Sequence, residues 1–79
     1  MQHTAQFILQ EFVSGKQVCE TYVHTLKDAI EDGLTFCRSG HYGYSVTILR
    51  NRGYGGSIVA QIDKYNAIHH AEYYRNLYR

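Results

Sequence analysis

The residues best suited to recognition chemistry stand together in one stretch, Arg50-Asn51-Arg52-Gly53-Tyr54-Gly55-Gly56. Two guanidinium groups offer forked donors that match phosphate or carboxylate. Tyr54 offers a flat face on which a base or an apolar group can stack, and glycines let backbone approach a ligand closely. Gly40-His41-Tyr42-Gly43 lies a few residues upstream. The expectation is that both stretches meet at one end of a hairpin rich in Gly, Tyr, His and Arg. The same composition also suits a long hairpin loop that needs glycine for its turns.

The C-terminal stretch carries the second set. Lys64, His69, His70, Arg75 and Arg79 interleave with Tyr65, Tyr73, Tyr74 and Tyr78. A basic, tyrosine-bearing helix suits an acidic protein surface or a phosphate backbone. An amphipathic helix with an ordinary solvated face has a similar pattern. The tyrosines, however, fall on more than one side of such a helix, so a small core cannot take them all.

Metal and catalytic sets are weaker. Cys37 and His41, with Cys19, His69 and His70, are ligand types, but zinc sites are usually marked by a C-x-x-C or H-x-x-x-H pair that is absent here. His24, Asp28 and Cys37 could form a nucleophile and base, yet their spacing does not force them together. Cys37 falls on an apolar helix face, where a thiol is normally inert. No phosphate loop, nucleophile elbow or carboxylate pair is present. The reading is a non-enzymatic chain with no metal and no cofactor.

Composition bounds the partners. Seventy-nine residues suit one small α+β domain with one modest core. Eight basic and seven acidic residues give a net charge of +1, unlike a strongly basic nucleic-acid binder or an acidic DNA mimic. Eight tyrosines and no tryptophan are unusual, and tyrosine is favoured at interfaces. Two cysteines do not make a disulfide scaffold, and no apolar run is long enough for a membrane span. The N-terminal stretch lacks a signal-type core, so the expected compartment is the cytoplasm.

The elements that must position these residues follow from periodicity. Gln6–Val13 reads as a strand with apolar residues on both faces, and therefore as covered on both. Ser14-Gly15-Lys16 is a turn, and Gln17–Val23 returns. Thr25 can cap a helix whose apolar face is Leu26, Ala29, Ile30, Gly33, Phe36 and Cys37. Gly33 on that face predicts close approach to a sheet, and Gly40 is a candidate left-handed stop. Tyr44–Arg50 alternates clearly. Ser57–Ile62 follows, with Ile58, Ala60 and Ile62 on one face. Asp63 can cap one final helix, Lys64 to about Tyr78. The predicted fold class is α+β: an antiparallel sheet of about four strands in ββαββα order, with two helices packed on it.

Three segments in this order resemble small phage-encoded inhibitors of the compact α+β anti-CRISPR kind. They are Leu26-Lys27-Asp28-Ala29-Ile30-Glu31-Asp32-Gly33, Gly43–Leu49 and Gly55–Asp63. The likeness is one of size, element order and texture. Those proteins share no motif, so no residue role carries over. The resemblance implies steric blockage of a host defence effector, a larger protein or ribonucleoprotein complex in the host cytoplasm. The expected partner-binding residues are Tyr42, Arg50, Arg52, Tyr54, Tyr73 and Arg75. The alternatives are a small nucleic-acid-binding module and a homodimeric structural or regulatory domain.

Overall fold

The computed structural model describes residues 5–52 and 56–79. Tyr54, one of the expected contact residues, lies outside them. The elements are β1 (Phe7–Val13), β2 (Lys16–Val23), α1 (Leu26–Ser39), β3 (Tyr44–Arg50), β4 (Ile58–Asp63), α2 (Lys64–His69) and α3 (Ala71–Arg75). The four strands form one antiparallel sheet in the order β2-β1-β3-β4. This is the predicted α+β class. The predicted single last helix is instead two short ones.

The first hairpin closes through Ser14 and Gly15, both left-handed at φ 52° and 82°. That conformation matches the twist of paired strands in a two-residue turn. The Ser14 N–H donates 2.7 Å to the Gly43 carbonyl, fixing this turn against the chain entering β3. β1 pairs with both β2 and β3, so β2 and β3 run parallel with β1 between them and α1 as the crossover. Thr25 Oγ1 accepts 3.1 Å from the Asp28 N–H and starts α1.

The core lies between α1 and one sheet face. Register puts Leu9, Ile48 and Ala60 in one cross-strand row, with Val46 and Ile62 adjacent. Ala29, Ile30, Gly33, Leu34 and Cys37 of α1 are buried against this face. Leu34, which the sequence pattern left off the helix stripe, is fully buried. The close approach expected at Gly33 is present: a Cβ there would stand 3.2 Å from Val46 Cγ1 and 3.3 Å from Ile62 Cδ1. Gly40 differs from expectation. Its backbone is extended, with φ −94°. Glycine is required there because a Cβ would collide with the Tyr44 ring, which stacks on Phe36 at 4.8 Å.

The last helix breaks at His70, where φ is −131° and ψ 29°. Asp63 Oδ1 caps α2 through the Asn66 N–H at 2.8 Å. The break lets α2 bury Ala67 against α1 while α3 turns Tyr74 onto β4. The Tyr74 hydroxyl donates 2.9 Å to the Gln61 carbonyl, and burial pushes its pKa up.

All helices lie on one side of the sheet. The shortest dimension of the molecule is 17 Å, which suits one sheet plus one helix layer at roughly 10 Å spacing. The expectation that β1 is covered on both faces is therefore corrected. Phe7 and Leu9 are buried, whereas Ile8 and Phe12 point to the opposite face and are half-buried. No helix among the described residues is long and apolar enough to cross a membrane.

Candidate functional site

The open sheet face is ordered into rows by strand register. Tyr22 pairs with Ile8, Ile8 with Leu49, and Leu49 with Ile58. These four form an apolar row across all the strands, about 14 Å wide at the usual strand spacing. The next row is polar: Glu20, Gln10, Thr47 and Gln61. Within it Gln10 Nε2 donates 3.1 Å to Glu20 Oε1, and the Tyr22 hydroxyl donates 3.4 Å to Glu20 Oε2. Phe12, Ser45 and Asp63 lie in a third row.

Ile58 reaches the open face because of a bulge. β4 shifts register between Ile48 and Leu49 of its partner, leaving Val59 as the extra residue. Ala60 and Ile62 stay on the core face while Ile58 crosses to the other. This corrects the single-face reading of Ile58, Ala60 and Ile62. Simple alternation cannot reveal a bulge, which inverts the side-chain pattern beyond it. Ile58 is left 59% exposed.

The apolar row continues around the sheet edge. Ile58, Val59, Gln61, Tyr73, Tyr74 and Leu77 line a groove of about 340 Å³ between β4 and α3. Tyr73 is 66% exposed and meets Tyr74 edge-to-face at 5.2 Å. Leu77 is also exposed. The outcome is an apolar band from Tyr22 to Leu77, bordered by the polar row on the sheet. Of its members only Tyr73 was singled out from sequence. Ile8 and Leu49 were visible as the second apolar face of their strands. Ile58 and Leu77 needed the tertiary fold.

The expected contact residues do not form one patch. Arg50 ends β3 and Tyr42 precedes its start, so they stand at opposite ends of the strand. The described part of the second stretch, Arg50–Arg52 and Gly56, does not meet Gly40–Gly43 as expected. Arg50 is exposed, with its guanidinium carbon 5.2 Å from the Phe7 ring centre. Arg52 is exposed at the same end. Tyr42 is 71% exposed, and Lys64 Nζ lies 5.8 Å from its ring centre.

Arg75 is committed inside the molecule. Its Nε and Nη2 donate to the two Glu31 oxygens at 2.9 and 3.2 Å. The Tyr78 hydroxyl donates to Glu31 Oε2 at 2.6 Å. The Arg75 and Tyr78 hydrogen bonds hold the Glu31 carboxyl well below its ordinary range, down to about 2. Arg75 therefore locks α3 onto α1.

The reactive residue types are scattered. Cys37 is buried, its thiol donating 3.4 Å to the Ile62 carbonyl. Burial, with the charges of Asp63 and Glu11, pushes its pKa up to about 12. Cys19 is exposed on β2. Among the described residues no group of three or more His, Cys, Asp or Glu could hold a metal ion. Comparison with protein-family models, with curated proteins and with solved structures found no match.

Proposed function

We propose that this chain is a small non-enzymatic binding protein that docks on a larger protein or ribonucleoprotein complex through the apolar band. The observation that carries this reading is the row Tyr22-Ile8-Leu49-Ile58 and its continuation onto Tyr73 and Leu77. Exposed contiguous apolar surface on a small chain marks an interaction site. Tyr73 is a rigid aromatic anchor of the kind that dominates interface energy, and the polar row supplies a hydrogen-bonding rim. Arg52, exposed beyond the Leu49 end of β3, adds a forked donor at the margin, whereas Arg50 alternates with Leu49 and lies with Phe7 on the helix-side face. The finer reading is an inhibitor of the anti-CRISPR kind, acting by steric blockage of a defence effector in the host cytoplasm. It draws on the resemblance in size and element order.

The test is phage plaquing on bacterial lawns immunised by CRISPR systems of several types, with the chain expressed from a plasmid. Wild type is expected to restore plaques on at least one lawn, and a Ile58→Arg, Tyr73→Ala variant to fail at equal expression. Restoration by neither protein sinks the inhibitor reading. Restoration by both removes the band from it. Sedimentation of the purified chain checks the homodimer alternative. A doubled mass that returns to the monomer value in the variant would assign the band to self-association instead.

A further inference from the structure

A separate surface, at the opposite end of the sheet from Arg50, collects basic and aromatic groups that the band does not use. It forms where the C-terminus of α1 meets the start of α2. Lys64 Nζ donates 2.9 Å to the Arg38 carbonyl and also to the Gly40 carbonyl, so the ammonium is held at the end of α1. The Tyr42 ring stands beside that ammonium. Arg38 Nε donates 3.3 Å to the Ala67 carbonyl and draws the guanidinium across to α2. On the outer side of α2 the Tyr65 ring packs against His69 at 4.5 Å and His70 at 6.0 Å between centres.

We infer that this end of the molecule binds single-stranded nucleic acid, with Tyr42 and Tyr65 stacking on bases and Arg38 and Lys64 contacting phosphates. The chemistry fits in three respects. Tyr42 and Tyr65 are 71% and 54% exposed, and each offers a ring face that any base can cover. The Nη groups of Arg38 make no hydrogen bond among the described residues, and this planar fork suits a phosphate. Neither Arg38 nor Lys64 forms an ion pair among the described residues: Asp63, next to Lys64, accepts from the Asn66 N–H, and Glu31, whose charge reaches Arg38, is held by Arg75 and Tyr78. Charge complementarity therefore selects a polyanion, and the exposed rings select one with unpaired bases. A duplex hides its base faces and would meet the cations alone.

This inference does not rest on the protein-docking reading, and different residues test it. The full chain is titrated into fluorescein-labelled oligo-uridine and oligo-deoxythymidine, with a DNA duplex in parallel, and anisotropy is read at low salt. Saturable binding to the single strands is expected, weaker on the duplex. Tyr42→Ala and Tyr65→Ala should each weaken it by about fivefold or more, the scale of one lost base stack. The logarithm of the affinity should fall against that of salt with a slope of about −1.4 for two phosphate contacts, and Arg38→Gln should reduce the slope by about 0.7. Ile58→Gln, which adds no charge, should leave this affinity unchanged while weakening the band's activity. Because both tyrosines are mostly exposed, circular dichroism should show all variants folded. No binding at low salt, equal binding to duplex, or binding indifferent to both tyrosine changes overturns the inference. Displacement of the oligonucleotide by inorganic polyphosphate as effectively as by unlabelled oligo-uridine does so as well, since polyphosphate has no bases.

Discussion

Glu31 shows how one side chain can fasten an element. It receives Arg75 through a two-bond fork and Tyr78 through a short hydroxyl bond, and so ties α3 and the chain after it to α1. The pair is only partly shielded, with side chains 24% and 35% accessible, so solvent screening keeps its worth below that of a buried pair. Its pH dependence has a definite sign. The folded carboxyl titrates near 2 and the unfolded one near 4.5. Its stabilisation is fully present above about 4.5 and is lost as pH falls toward 2. Thermal unfolding should therefore show Glu31→Gln melting below wild type at neutral pH, with the gap closing as pH is lowered through that window. A gap of constant size would mean that the fork contributes nothing. The two thiols make a second contrast at this scale. Cys37 is buried and shifted up to about 12, whereas Cys19 is exposed. A thiol reagent should titrate one group per native chain, at Cys19, and two after denaturation. Rapid native reaction at Cys37 would contradict the packing of α1.

At the scale of the element, much was legible. The alternation of Tyr44–Arg50, the caps at Thr25 and Asp63, and the glycine on the buried face of α1 each carry a local physical signal, and each is present as read. The Gly33 position gives a direct test. A larger side chain there must push Val46 and Ile62 away from the helix. Gly33→Val should cost about 1–3 kcal/mol, the usual penalty of overpacking, measurable by urea unfolding. An unchanged midpoint would show that helix and sheet are not in close contact. Three features were not legible, and the reasons differ. The break at His70 has neither glycine nor proline to announce it. It is set by the demands of Ala67 and Tyr74, which pack on different partners. The bulge at Val59 depends on pairing with β3, so counting along β4 alone assigns Ile58 to the wrong face. Arg75 looked like a free donor because its acceptor, Glu31, is far away in the chain.

On the scale of the whole molecule, the two surfaces stand at different places on a thin two-layer plate. The band crosses the open sheet face and wraps over the β4 edge, while the aromatic-basic cluster sits where α1 ends and α2 begins. Since Ile58 and Tyr73 are exposed, replacing both should leave the unfolding free energy within about 0.5 kcal/mol of wild type, as surface changes usually do. A larger loss would mean that the band serves the fold rather than a partner. The sequence foretold surplus tyrosine at the surface, and Tyr42, Tyr65 and Tyr73 are there. It could not foretell their separation, because closeness along the chain around β3 becomes distance across the sheet.

The central place of β1 has a consequence for how this fold is reached. β1 can zip to β2 as soon as the Ser14-Gly15 turn closes, since only neighbours in sequence are involved. Its other edge must wait for β3, which lies beyond the whole of α1. Until Tyr44–Arg50 has been made, the nascent hairpin carries a row of unanswered amides along β1, even where α1 already covers Phe7 and Leu9. The arrival of β3 answers the amides of β1 and brings Val46 and Ile48 to the core, but it hands the open edge outward to itself, and that edge closes only when β4 delivers Ala60 and Ile62.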